Sequence, residues 1–508
     1  MSGSVYVPPH LRNQNKTETP QTTPSNHEEA RSTKFSNTTS RPPPNRQMNK
    51  SRSVPGRLNE MSDQEIESLF ASKEENPDFQ VYENSQVKIH SSIKIEAIKG
   101  FPRSGVKNIL LENIANLGFR APTAVQKYSI PYVLQGHDLI VTSQTGSGKT
   151  AAFMLPVVTQ VLQKGYSRNP TVICLAPTRE LAIQIQKETD KFCKGTELQS
   201  VCVFGGDPIQ NQIQQLRNNS YQIVIATPGR LIDLAKRQYI FMRDVQFLIL
   251  DEADRMLDMG FEPQISEVIK EFDMPSAENR QTLLFSATFP REVQELARQF
   301  MKQTSSRIEV GLQDAPSLIE QRFLYVPDHS KLQALLEVID QVSGPTLIFV
   351  ERRATVDEIE EFLFDENRKV VAIHGDREMK DRLAALRGFS TGRAEIMVAT
   401  DVAARGLDIQ NVAHVINLDL PTDLDSYIHR IGRTGRAGNR GIATAFFNES
   451  SEPFLSNFIR HVQKSSQELP EGLQEYAQSS RNRQHRGGRG GRGSMSRDRS
   501  YHNFNSRY

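Results

Sequence analysis

Twice along the chain, short apolar runs alternate with longer amphipathic stretches, and no other pattern in it limits the fold so tightly. The first series is 139–141, 172–175, 201–204, 223–226, 247–250 and 282–285, with segments of helical period such as 179–188 and 292–300 between them. The second is 323–326, 346–350, 370–373, 396–399, 414–418 and 443–447, interleaved with helical patterns at 331–339 and 354–364. Strands that take turns with helices build a parallel sheet. The spacing predicts an α/β chain of two tandem domains, 96–310 and 316–470, each a parallel sheet flanked by helices.

The ends read differently. Residues 1 to about 60 are rich in Ser, Thr, Asn, Pro and Arg. They cannot bury enough apolar surface to offset the entropy of ordering. A disordered extension is therefore expected over 1–95, interrupted by a short capped helical pattern at Met61-Ser-Asp-Gln-Glu-Ile-Glu-Ser-Leu-Phe70. A second disordered tail, 471–508, is rich in Arg and Gly. Net charge over the 508 residues is only +2, so any nucleic-acid signal lies in the distribution of charge, above all in that basic tail. Cys174, Cys193 and Cys202 lack metal or redox spacing and read as buried thiols in a reducing compartment. There is no apolar stretch of about 18 residues and no apolar leader, which points to a soluble intracellular protein without a membrane partner.

Chemistry gathers at the ends of the apolar runs. Ser143-Gln144-Thr145-Gly146-Ser147-Gly148-Lys149-Thr150 follows 139–141. Its glycines let backbone N–H groups turn toward phosphate oxygens, and the helix that follows adds its positive end. Lys149 would reach the β- and γ-phosphates, and Thr150 would ligate Mg²⁺. Gly is usual at the first position; the small Ser143 should still fit. Asp251-Glu252-Ala253-Asp254 closes the run 247–250. Asp251 there can hold the metal, and Glu252 can orient and deprotonate a water. The two segments together predict binding and hydrolysis of a nucleoside triphosphate.

With these residues in view, the chain resembles the DEAD-box RNA helicases from about Phe101 to Gly441. The resemblance runs in order through Gly118-Phe-Arg-Ala-Pro-Thr-Ala-Val-Gln126 with Phe101 upstream, Pro177-Thr-Arg-Glu-Leu-Ala182, Gly205-Gly206, Thr227-Pro-Gly-Arg230 and Ser286-Ala-Thr288. It continues with Leu347-Ile-Phe-Val350, Ala399-Thr-Asp-Val-Ala-Ala-Arg-Gly-Leu-Asp408 and His429-Arg-Ile-Gly-Arg-Thr-Gly-Arg436. It implies two RecA-like domains and an RNA-dependent ATPase using ATP and Mg²⁺. Gln126 would then read the adenine edge and Asp408 the ribose. Phe101 would stack on the base, or else be a core aromatic. Arg433 and Arg436 would act as arginine fingers. RNA contacts are implied at Pro177, Thr178, Arg179, Gly205, Gly206, Thr227, Gly229, Arg230, Arg382 and Thr400. Asp254, Ser286, Thr288 and His429 would couple hydrolysis to RNA release. Two departures stand out: Met379 where the family has Gln, and Leu418 where an aromatic is common.

Val5-Tyr-Val-Pro-Pro-His-Leu-Arg12 is similar to the N-terminus of the Ded-type helicases, and the core and tail to the Ded/Vasa branch. That implies a role in translation initiation, contact with initiation factors through residues Tyr6 to Arg12, and a cytoplasmic location with nuclear passage or RNA granules left open. Single-stranded RNA and short RNA duplexes are the expected partners, bound without sequence preference. Three alternatives remain: an ATP-latched RNA clamp or ribonucleoprotein scaffold, a helicase of ribosome assembly or splicing, and a DNA helicase.

Overall fold

The computed structural model describes residues 61–70, 86–144, 146–311, 319–401, 412–435 and 440–464, with positions 469, 473, 474 and 476. Two sheets organise them. The first joins β1 (Val87–His90), β2 (Leu139–Ser143), β3 (Val172–Leu175), β4 (Ser200–Val203), β5 (Ile223–Ala226), β6 (Phe247–Leu250), β7 (Gln281–Ser286) and β8 (Ser306–Val310) in the order β1-β8-β2-β7-β6-β3-β5-β4. All its neighbours are parallel except the edge pair β1–β8. The second joins β9 (Ile319–Tyr325), β10 (Thr346–Val350), β11 (Val370–Ile373), β12 (Ile396–Thr400), β13 (His414–Asn417) and β14 (Gly441–Phe447) in the all-parallel order β11-β12-β10-β13-β14-β9.

The predicted apolar runs became strands because each feeds two cores. Successive side chains of a strand point to opposite faces. Leu139 and Val141 of β2 enter one core layer while Ile140 enters the other. In the second domain Leu347 and Phe349 of β10 enter one layer, and Ile348 and Val350 the opposite one. The cysteines lie buried as free thiols, and burial pushes the Cys193 thiol up to about 12. Leu418 is also a core residue, so an aliphatic side chain fills the place where an aromatic is common. Among the described residues no helix is long and apolar enough to cross a membrane.

The disordered extension expected over 1–95 needs correction. Helix Asp63–Phe70 is capped as its sequence suggests: the Ser62 N–H and hydroxyl both donate to Glu65 Oε2, at 2.7 and 2.8 Å. It is docked rather than free. Ile66 is buried in the first core, and Asn108 Nδ2 donates to Met61 O and Asp63 Oδ1. β1 then completes the sheet edge. The first domain therefore starts well before 96, because these two elements bury apolar side chains and pair backbone that the composition of the flanking tail obscures.

Candidate functional site

Apart from Gly118–Gln126, which leads into helix Ala124–Leu134, the motifs of the first domain sit at the carboxyl ends of parallel strands, where ligands bind in open α/β sheets. At the end of β2 the phosphate loop turns into helix Lys149–Lys164. Ser143 Oγ lies 3.0 Å from Ser147 Oγ, so the serine in place of glycine is absorbed into the loop's own hydrogen bonds. Lys149 is buried, and its Nζ donates to Ser143 O at 3.1 Å. Gly148 has φ +88°, and a Cβ there would lie 2.4 Å from Gln126 Nε2. Only glycine fits that approach.

Gln126 is tied to both sides of the site. Its Oε1 accepts from Thr123 N (3.0 Å) and its Nε2 donates to Gly148 O (3.1 Å). Thr123 Oγ1 adds a bond to Ser147 O at 2.8 Å. These contacts fix the orientation of the amide and leave one N–H and one oxygen lone pair. Adenine offers a donor and an acceptor on one edge, whereas guanine offers two acceptors. Gln126 is 1% exposed. Phe101 takes the core reading and not the base-stacking one. It is fully buried, with the rings of Phe70 and Phe119 at 5.6 and 6.2 Å.

The acidic segment leaves the end of β6. Asp251 is buried, and burial pushes its carboxyl up to about 7; the Lys149 charge opposes the rise and Glu252 reinforces it. Glu252 has φ 52° and ψ 52°, a left-handed conformation that costs a residue with a Cβ about 1–2 kcal/mol. Its N–H donates to Asp251 Oδ1 at 3.0 Å. Asp254 bridges to the end of β7. Its Oδ2 accepts from Ala287 N (3.2 Å), Thr288 N (2.9 Å) and Thr288 Oγ1 (2.9 Å), and its own N–H donates to Ser286 Oγ.

The loops after β3, β4 and β5 interlock. Thr178 caps helix Arg179–Phe192 by accepting from Leu181 N. The Arg179 guanidinium lies against Gly206, where φ is +93° and a Cβ would meet Nη1 at 1.9 Å. Gly205 N donates to Thr227 Oγ1, and Arg230 Nη2 to Asp207 O at 2.9 Å. Pro177, Thr178, Arg179, Gly205, Gly206, Thr227, Gly229 and Arg230 thus share one rim of the sheet.

From the second domain, Thr400 ends β12 and Arg433 follows helix Leu424–Ile431, which carries His429. Arg433 is buried. Arg382, expected to meet RNA, does not face solvent: its Nη2 lies 2.5 Å from Glu180 Oε1, both side chains being buried. Its opposite charge makes Glu180 a closer partner than water, and the pair links the two domains. Arg430, which the sequence reading assigned no role, holds Asp401 through Nε and Nη2 at 2.6 Å each and lies over the Phe349 ring. Its place beside His429 was the available signal. Thr145, Asp408 and Arg436 lie outside the described residues.

Two family models match the chain: DEAD/DEAH box helicase over residues 123–296 and Helicase conserved C-terminal domain over 330–438. Among solved structures, S. cerevisiae Dbp5 bound to RNA and ADP BeF3 is 30% identical, covers 76% of this chain and 99% of its own, and superposes with a TM-score of 0.64. A Dbp5 variant from the same organism, bound to a Gle1 variant and IP6, is also 30% identical, over 77% and 99%, at 0.58. Mss116 bound to ssRNA and AMP-PNP is 29% identical, over 73% and 78%, at 0.65.

Proposed function

Because this chain belongs to the DEAD-box family of RNA helicases, and is therefore an RNA-dependent ATPase, we propose that it binds single-stranded RNA without sequence preference and opens short duplexes locally, in translation initiation and mRNA remodelling. The observation that carries the site assignment is the convergence of Lys149, at the end of β2, with Asp251 and Glu252, at the end of β6 across the intervening β7, where burial raises the Asp251 carboxyl to about 7. The oxygen donors of Thr150 and Asp251 suit Mg²⁺, and a dication is what would ionise a carboxyl so placed. When bound, Mg²⁺ neutralises charge on the β- and γ-phosphates.

The residues divide the work. Lys149 binds the phosphates, and Gln126 selects the base by its one free donor and one free acceptor. Glu252 orients water and takes its proton as the water oxygen bonds to the γ-phosphorus and the bridging oxygen leaves with ADP. Arg433 brings positive charge from the second domain. The interlocked rim after β3, β4 and β5 offers N–H groups and guanidinium to RNA phosphates, contacts that carry no base code. Dbp5 and Mss116 hold RNA and nucleotide together in their structures, which supports the same pairing here.

The deciding experiment is steady-state ATPase with single-stranded RNA, matched DNA and no nucleic acid, using Lys149→Ala as blank, followed by separation of a short RNA duplex. Stimulation by RNA alone together with strand separation supports the proposal; equal stimulation by DNA overturns the RNA assignment. The Arg382–Glu180 pair favours a second reading, an ATP-latched clamp, because it joins the domains without chemistry. RNA-stimulated turnover without strand separation selects it. The Ded/Vasa branch, the initiation role and the cytoplasmic location rest on the resemblance of residues Val5 to Arg12. Removing that segment should abolish binding of initiation factors and leave ATPase intact; factor binding that survives the deletion would argue against the initiation role.

A further inference from the structure

Helix Ala253–Asp258 carries a charge that none of the roles above uses. Arg255 is one of the largest fully buried side chains, with only 2% exposed. Its Nε lies 3.7 Å from Glu252 Oε2, one helical turn back, inside ion-pair range but beyond a hydrogen bond. Arg255 Nη1 and Nη2 have no hydrogen-bond partner among the described residues, and neither does Glu252 Oε2. Burying a guanidinium with two unfilled nitrogens is strongly unfavourable unless a nearby opposite charge compensates. For stability alone an apolar residue of similar volume would serve at least as well. Glu252, meanwhile, is held in a left-handed backbone conformation that its own side chain disfavours.

We infer that Arg255 is a positioning residue for hydrolysis: its charge fixes Oε2 of Glu252 and leaves Oε1 to orient the attacking water. The inference rests on the assignment of Glu252 as the group that takes the water's proton. Two constraints then act on one carboxylate, the turn of the backbone at Glu252 and the guanidinium behind it. Misplacement of a reacting group by about 1 Å costs on the order of 10²-fold in rate, so a carboxylate free to swing would lose turnover without losing substrate.

The test uses the full chain with Arg255→Met, Arg255→Gln and Arg255→Lys, each alone and the first also combined with Glu252→Gln. RNA-stimulated kcat and the KM for ATP are measured beside equilibrium nucleotide affinity and the melting midpoint. The expectation is a kcat roughly 10²-fold lower in the Met and Gln variants, with KM and nucleotide affinity held, and substantial recovery in the Lys variant. Adding Arg255→Met to Glu252→Gln should lower kcat no further, since both act through one group. If Glu252→Gln abolishes turnover while Arg255→Met and Arg255→Gln keep it, the inference falls and the assignment of Glu252 stands. Full additivity in the double variant, or a loss of kcat that follows a loss of melting midpoint, also overturns it. Turnover that survives Glu252→Gln removes the assignment itself, and the inference with it.

Discussion

Replacing Asp254 by alanine is the sharpest perturbation the structure offers. The carboxylate is 3% exposed and collects donors from two strand ends: Ala287 N, Thr288 N and Thr288 Oγ1 on one oxygen, and Arg255 N on the other. The Thr288 hydroxyl can rotate to another acceptor, but the three backbone N–H groups cannot. Each buried donor left unsatisfied costs about 1–3 kcal/mol, so Asp254→Ala should destabilise the first domain by roughly 3–6 kcal/mol, allowing for partial relaxation. For a domain of this size 1 kcal/mol moves the melting midpoint by about 2–4 °C, which gives a drop of roughly 6–24 °C. Asp254→Asn keeps one acceptor of the same shape and should lose about a third of that. Scanning calorimetry or fluorescence melting of the full chain reads both. An alanine variant melting within about 2 °C of the parent would refute the reasoning, for it would mean that the two strand ends do not depend on this carboxylate.

Other expectations follow from the same geometry. Asp251 has its folded value raised from 3.8 to about 7, so its contribution to stability is fully present below about 3.8 and is lost as pH rises through about 7. Nucleotide-free protein should therefore show a pH-dependent melting component over that window that Asp251→Asn removes; identical pH profiles for the two proteins would count against the shift. Gly206→Ala would force a left-handed alanine into the Arg179 guanidinium. Apparent RNA affinity in the ATPase assay should fall several-fold, about 1 kcal/mol, with the KM for ATP unchanged; an unaltered RNA titration curve would sink that account. Gln126→Glu exchanges the N–H donor for a second acceptor beside Gly148 O. ATP affinity by equilibrium titration should drop about 5–150-fold, equivalent to 1–3 kcal/mol, and parent-like binding would mean that the amide does not read the base.

All twelve apolar runs became strands; most are buried along their length, and such a strand announces itself by composition alone, while β9 leaves Leu324 and Tyr325 exposed. β1 and β8 escaped notice for the opposite reason. Ser306–Val310 alternates buried and half-buried positions, and Val87–His90 is mostly exposed, so their strand character comes from backbone pairing, of β1 with β8 at the edge and of β8 with β2 on its other side. Within the site, loops built on glycine and on helix N-termini were legible, since the backbone geometry demands particular residues at fixed spacing. Arg255, Arg430 and the Arg382–Glu180 pair were not. A lysine or arginine on a helix reads as solvated until tertiary structure supplies the carboxylate that lets it be buried. Phe101 shows the same limit: only the positions of Phe70 and Phe119 decide between a base-stacking ring and a core ring.

The strand order also sets a timetable for synthesis. β2, which carries the phosphate loop, hydrogen-bonds only to β7 and β8 among the described strands. Both leave the ribosome long after it: β2 ends at Ser143, whereas β7 begins at Gln281 and β8 at Ser306. At a translation rate of about 5–20 residues per second, the apolar strand waits on the order of ten seconds with both edges open. β1, the earliest of the described strands, waits for β8, the last strand of its own sheet. Nascent chains stalled before Gln281 should therefore be bound by chaperones and cleaved readily by protease at the β2 segment, and chains extended past residue 310 should resist both. The strand that carries the phosphate loop is flanked late, by the far end of its own domain.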